Sequence, residues 1–238
     1  MDTKTFNMDT MMSKTTYRSI ERRSFEQFCQ TYKFRLSSKT DLSTLYHVIF
    51  WLYHQFKSYK EFYGNFQNHN GFEIFEKCKE EYSPNCACFS IMLNDILIAM
   101  GYKSKSVWCL SSDPLDDECH ALNHVWIEEL NKWVVADPSS RSVICDELGT
   151  PIDLMTMRTR IYNGGIVYPY RNKTICQSAE FIKEYNLYMK KNSFQFLTHI
   201  EQGLHYPLDQ NAVLIHPIGY LPMHERDWHR TTDISYLF

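Results

Sequence analysis

The stretch Pro84-Asn85-Cys86-Ala87-Cys88-Phe89-Ser90, running on to Gly101, decides the reading of this chain. Phe89, Leu93, Ile96, Leu97 and Met100 recur on one helical stripe, and Gly101 stands where a helix-ending glycine belongs. This predicts a helix over 86–100 that opens on a cysteine. Two further segments follow it: His124-Val125-Trp126-Ile127-Glu128, then Trp133-Val134-Val135-Ala136-Asp137-Pro138. A thiol, an imidazole and a carboxylate are the residue types that covalent acyl transfer needs.

Placement gives Cys86 a reason to react. A cysteine attacks as thiolate, and an ordinary thiol is mostly protonated at neutral pH. At the first turn of a helix, unpaired N–H groups and the positive dipole end favour a negative sulfur. The same N–H groups could hold the oxyanion of a tetrahedral intermediate. Tyr82, Asn85 and Gln55 are side-chain alternatives for that role, none marked out by spacing.

The two downstream segments alternate like strands, 122–128 and 133–136, and read as a β-hairpin. If the turn is centred between Leu130 and Asn131, His124 stands directly opposite Asp137. Directly opposed residues have Cβ atoms roughly 4.5–5.5 Å apart. That reach lets Asp137 hold the His124 imidazole in one tautomer. A one-residue slip would lose the pairing.

Each of these residues has a rival or a plainer reading. Cys86 alone could be a small buried thiol. Cys88 lies about 200° further around the helix, so only one of the two cysteines can face the histidine. The distance to Gly101 selects Cys86. His120 is the rival base, but it lacks the Trp and Glu that follow His124, and reads as a strand-end or loop histidine. Cys109, Cys119, His120 and His124 could be written as zinc ligands. Their gaps are irregular and no Cys-x-x-Cys occurs, so no metal and no cofactor are expected. Gly164-Gly165 stands alone as a turn and makes no phosphate loop. His205, His216, His224 and His229 also lack ligand spacing.

Around this block, residues 20–34 read as an amphipathic helix through Phe25, Phe28 and Tyr32. A longer helix starts near Asp41, with Leu45, Val48, Ile49, Leu52, Phe56 and Tyr59 on its stripe. A polar break spans 64–71, and 72–79 is a short helix. Residues 104–110 read as a strand, 154–161 as a helix, and Ser178 as the cap of a helix to 189. Phe194, Phe196 and Thr198 alternate as in a strand, and 205–238 shows no period. No internal repeat or linker forces a boundary. The expectation is a lead-in over 1–19 and one domain over 20–238. Its motif core lies at about 82–140, with an extension over 141–238 whose role the sequence leaves open, shaping either the cleft or the acyl-acceptor side.

Composition sets outer limits. The chain has 238 residues, 44% of them hydrophobic and 15% aromatic, enough for a large core. Its 25 basic and 28 acidic residues leave a formal charge of −3, which gives no footprint for nucleic acid. No apolar run spans a membrane and no export signal opens the chain, so a cytoplasmic location is expected. The eight cysteines are irregularly spaced and are expected to be reduced.

The block from Cys86 to Pro138 resembles the core motif of the transglutaminase-like superfamily, a branch of the papain-like cysteine enzymes. The resemblance rests on Cys86, Phe89, Ser90 and Gly101, then His124, Trp126 and Glu128, then Trp133, Asp137 and Pro138. It departs from the family at Pro84, where glycine is usual, and across Gly101-Tyr102-Lys103-Ser104-Lys105. It implies an α+β fold, with helices first and the nucleophile at a helix N-terminus packed on an antiparallel sheet. It implies Cys86 as nucleophile, His124 as base and Asp137 as orienting carboxylate. The expected reaction passes through a thioacyl-enzyme on a peptide, amide or thioester, and is hydrolytic. Capture by an amine, as in a transglutaminase, is the alternative. A non-catalytic or zinc-stabilised binding module is the alternative from another class.

Overall fold

The computed structural model describes residues 19–35, 40–56, 69–113, 115–116, 118–171, 174–175, 178–199, 212–220 and 228–238. The expected lead-in up to residue 18, Tyr59, the break at 64–68, His205 and His224 lie outside them. The chain is α+β. Among the described residues four helices come first: α1 (Ser19–Tyr32), α2 (Asp41–Tyr53), α3 (Gly71–Glu81) and α4 (Cys86–Ala99). Strands β1 (Ser104–Leu110), β2 (Cys119–Ile127), β3 (Lys132–Asp137) and β4 (Ser142–Cys145) follow. Then come α5 (Leu154–Tyr162), β5 (Tyr168–Arg171), β6 (Thr174–Ile175) and α6 (Ala179–Asn192). Strands β7 (Gln195–His199), β8 (Ala212–Ile215) and β9 (His229–Thr231) complete the order.

All nine strands join one sheet in the order β6-β5-β4-β3-β2-β1-β7-β8-β9. Every pairing is antiparallel except β8 with β9. The expectation of helices first and sheet second is therefore incomplete, because α5 and α6 interrupt the strands. Val125, Ile127, Val134 and Ala136 join the core built by α1–α4. Leu122, Val135 and Ile144 join the opposite core, with Met157 of α5 and Tyr185 and Met189 of α6. Both faces of β2 and β3 are thus covered, which is why these strands are almost wholly buried.

Helix α4 is the central pillar. Its apolar residues do not stop at one stripe: every residue from Ala87 to Ala99 is buried, as expected of a helix that is apolar all round. Burying one of its Leu or Ile side chains contributes roughly 1.5–3 kcal/mol, so the helix is held firmly in place. It ends in a Schellman motif, with Gly101 at φ 88°. There Gly101 N–H reaches Ile98 and Tyr102 N–H reaches Leu97. Gly71 lets α3 approach closely, since a Cβ there would lie 2.8 Å from the Met92 Cα.

The β2–β3 turn corrects one expectation. Its loop is a 3-10 turn over Glu128–Leu130, closed by Asn131 in the left-handed region at φ 48°. Glu129 pins that loop by accepting the amides of Asp41 and Leu42 at the start of α2. The register that results pairs Trp126 with Trp133 and His124 with Val135. His124 is therefore not opposite Asp137.

Candidate active site

Cys86 opens α4 behind the N-cap Asn85, whose side chain accepts the Cys88 amide at 2.9 Å. Phe89 N–H returns to the Asn85 carbonyl. The amides of Cys86 and Ala87 have no partner within the helix, as first-turn amides never do. The sulfur is half-buried and lies 3.9 Å from the Cys119 carbonyl oxygen. It also takes a hydrogen bond from the Ala121 amide.

Asp137 is fully buried at the end of β3. Continuing the observed register puts it across from Leu122, whose same-face neighbours on β2 are His120 and His124. The structure joins Asp137 to His120. The His120 Nε2–H donates to Asp137 Oδ2 at 2.8 Å. The same oxygen accepts the Tyr185 hydroxyl at 3.0 Å. Oδ1 accepts the Ser139 hydroxyl at 2.7 Å and the Ser140 amide at 3.1 Å. The His120 ring also acts on the Cys86 thiol through hydrogen bonding and charge, lowering the thiol pKa. With Nε2 on the carboxylate, Nδ1 is the nitrogen left for sulfur.

The electrostatics follow from these contacts. Burial acts against the charged form of His120, but the Asp137 charge and hydrogen bond outweigh it and raise its pKa to about 10. Burial likewise opposes ionised Asp137, and His120, Ser139 and the Ser140 amide overcome it, holding it at about 2. For Cys86 burial raises the pKa, while the His120 hydrogen bond and charge and the Ala121 amide bring it below its ordinary value. These contacts bias cysteine, histidine and aspartate towards a thiolate–imidazolium–carboxylate chain.

His124 is elsewhere. Its Nδ1–H donates to the Leu237 carbonyl at 2.9 Å, and its Nε2 accepts the Leu154 amide at 3.4 Å. Trp133 and Phe238 pack on its ring at 5.0 and 5.3 Å. Burial lowers its pKa to about 4, so it is a neutral structural imidazole with both nitrogens occupied. The expected set of Cys86, His124 and Asp137 is replaced by Cys86, His120 and Asp137. Cys88 is buried inside the core, and its thiol is hydrogen-bonded to Cys78. Of the other candidates, Gln55 donates to the Trp51 carbonyl and Asn85 is spent on its cap. Glu128 accepts the Trp126 indole N–H at 2.8 Å.

The segment after residue 141 supplies part of the site through α6. Tyr185 and Tyr188 present ring edges to His120, with centroids at 6.4 and 5.6 Å. The Tyr188 hydroxyl donates to the same Cys119 carbonyl that faces the sulfur. Phe181, Tyr185, Tyr188, Asp137 and His120 line a cavity of about 300 Å³ beside the imidazole. Sequence reasoning missed the two tyrosines because nothing local in α6 points to β2. Ser139 and Ser140 carried a fainter signal, since Asp-x-Ser-type turns bond back to the preceding carboxylate.

Among the described residues, no group of three or more His, Cys, Asp or Glu is arranged to hold a metal ion. None of their helices is long and apolar enough to cross a membrane. No family model and no curated protein matches the chain.

Proposed function

We propose that the protein is a cysteine acyl-transfer enzyme, with Cys86 as nucleophile, His120 as acid–base group and Asp137 as orienting carboxylate. The single observation that carries this reading is His120 hydrogen-bonded to the buried Asp137 carboxylate at 2.8 Å, beside a Cys86 thiol whose pKa it lowers. The core is read as transglutaminase-like within the papain-like class. What supports that reading is a cysteine at a helix N-terminus packed against antiparallel strands that bring the histidine and aspartate.

The chemistry runs as follows. The thiolate attacks the carbonyl carbon of a peptide, amide or thioester, and its π electrons move onto oxygen. The first-turn amides of α4, which have no partner within the helix, are the donors offered to that oxyanion. His120 gives its Nδ1 proton to the leaving amine or thiol as the C–N or C–S bond breaks, leaving a thioacyl-enzyme. Neutral His120 then takes a proton from water, which attacks the thioester. Collapse of that second intermediate expels Cys86 as thiolate beside imidazolium and restores the resting pair. Asp137 holds Nε2–H throughout and stabilises the cation. Water is taken as acceptor because hydrolysis needs only one specific substrate site.

Alkylation by iodoacetamide at neutral pH, located by peptide mapping, tests this directly. Cys86 should label fastest and to one equivalent, and His120→Ala should slow it. Cys86 labelling no faster than Cys119 or Cys29 would overturn the proposal.

A further inference from the structure

A second cavity, of about 440 Å³, lies at the opposite end of α4 from Cys86. Ile98 lines it, and twelve residues of helix put it about 18 Å along the axis from the nucleophile. Its walls include Trp126 and Trp133, a cross-strand pair with ring centroids 6.0 Å apart and planes at 67°. Phe238 stands edge-on to Trp133 at 6.4 Å.

The polar groups at this cavity are biased towards cations. Lys103 is exposed, with its ammonium 5.7 Å from the centre of the Trp126 ring. Lys105 is half-buried and uses one N–H on the Tyr236 carbonyl, which leaves two of its three donors. Among the described residues no Asp or Glu lines the space. Glu128 and Asp41 accept from wall residues, namely the Trp126 indole N–H and the Tyr102 hydroxyl. Ser104 also lines the cavity, and it is only 5% exposed. Its hydroxyl has no hydrogen-bond partner among the described residues. Buried hydroxyls are normally paired, so this one is a donor held ready for a guest.

Flat apolar walls, two ammonium groups, one spare hydroxyl and no lining Asp or Glu among the described residues select a small planar molecule with a negative charge. We propose that this cavity is a binding site for an aromatic carboxylate. The ring lies against Trp126 and Trp133, and the carboxylate meets Lys103 and Lys105. The site is separate from Cys86 and stands whether or not the acyl-transfer reading holds.

Calorimetric titration of the full chain with 2-naphthoate, with indole fluorescence followed in parallel, tests it. One saturable site is expected, with uncharged 2-naphthalenemethanol at least ten-fold weaker. Lys103→Glu, an exposed change that should leave the fold intact, should weaken naphthoate at least ten-fold, and Trp126→Ala should do the same. Cys86→Ala should bind as the parent does. Equal binding of acid and alcohol, an unaffected Lys103→Glu protein, or no heat and no fluorescence change would each overturn the proposal.

Discussion

His120 and His124 sit four residues apart on one face of β2, and their chemistry is opposite. At the Cys86 end, His120 stands between a carboxylate and a thiol and is raised to about 10. At the turn end, His124 meets a carbonyl, an amide and two aromatic rings, and is lowered to about 4. Both are buried, so burial alone does not decide the charge of an imidazole. What decides it is whether a charged partner shares the burial. The same strand therefore carries a cation paired with a carboxylate and a neutral strut.

The sharpest way to break this comparison is to remove each ring in turn. His120→Ala should lower kcat/KM on a thioester or peptide probe by on the order of 10³-fold or more, as Cys86→Ala should. His124→Gln, once shown to be folded, should stay within about three-fold of the parent. A folded His124 variant as inactive as His120→Ala would reverse the assignment.

Asp137→Asn comes next. Loss of the carboxylate should cost roughly 10²–10⁴-fold in kcat. It should also move the alkaline limb of the pH–rate profile to lower pH, because His120 would no longer be held protonated. An unmoved limb would detach Asp137 from the imidazole.

The third test concerns stability. The folded-state pKa of His124 is depressed from 6.5 to about 4, so the unfolded chain takes up the proton first. Its contribution is complete above pH 6.5 and is lost as pH falls towards 4, by about 3 kcal/mol. His199, also pushed to about 4 by burial, adds a loss of the same sign. Urea midpoints at pH 7 and pH 4.5 should therefore fall steeply, and His124→Gln should remove a substantial part of that fall. An identical fall in the variant would show that His124 is not the titrating group.

The smallest effect is expected at Tyr185→Phe. It removes one of the four hydrogen bonds on the Asp137 carboxylate described above and should cost about 1 kcal/mol of stability. Deprotonation of His120, followed by NMR, should move slightly, since Asp137 keeps its other three donors. A loss of activity as large as that of Asp137→Asn would mean that Tyr185 does more than steady the carboxylate.

Much of this was legible in the chain itself. The stripe from Phe89 to Met100 and the glycine after it mark α4, because helical periodicity and a positive-φ stop are local properties. Strand alternation marks β2 and β3 and places His124 and Trp126 on one face, but the expected strand began at 122 and left His120 outside it. Short strands such as β5, β6 and β9 were not legible, because two to four residues carry too little periodicity to stand out. The partner of Asp137 was not legible either. Moving the turn centre by one residue shifts each partner by two, which leaves the face unchanged and replaces the neighbour.

By itself, then, the sequence determined that a cysteine opens a buried helix and that a histidine and an aspartate share one face of a hairpin. Those follow from caps, periods and alternation within a few residues. Only the tertiary structure decided which histidine meets Asp137. Glu129 bonds to the start of α2 and holds the hairpin loop in its register. Helix α6, arriving from more than 40 residues downstream of Asp137, brings Tyr185 to its carboxylate. Contacts between residues so far apart in the chain leave no mark on local sequence, and they set which of two equivalent rings meets the charge.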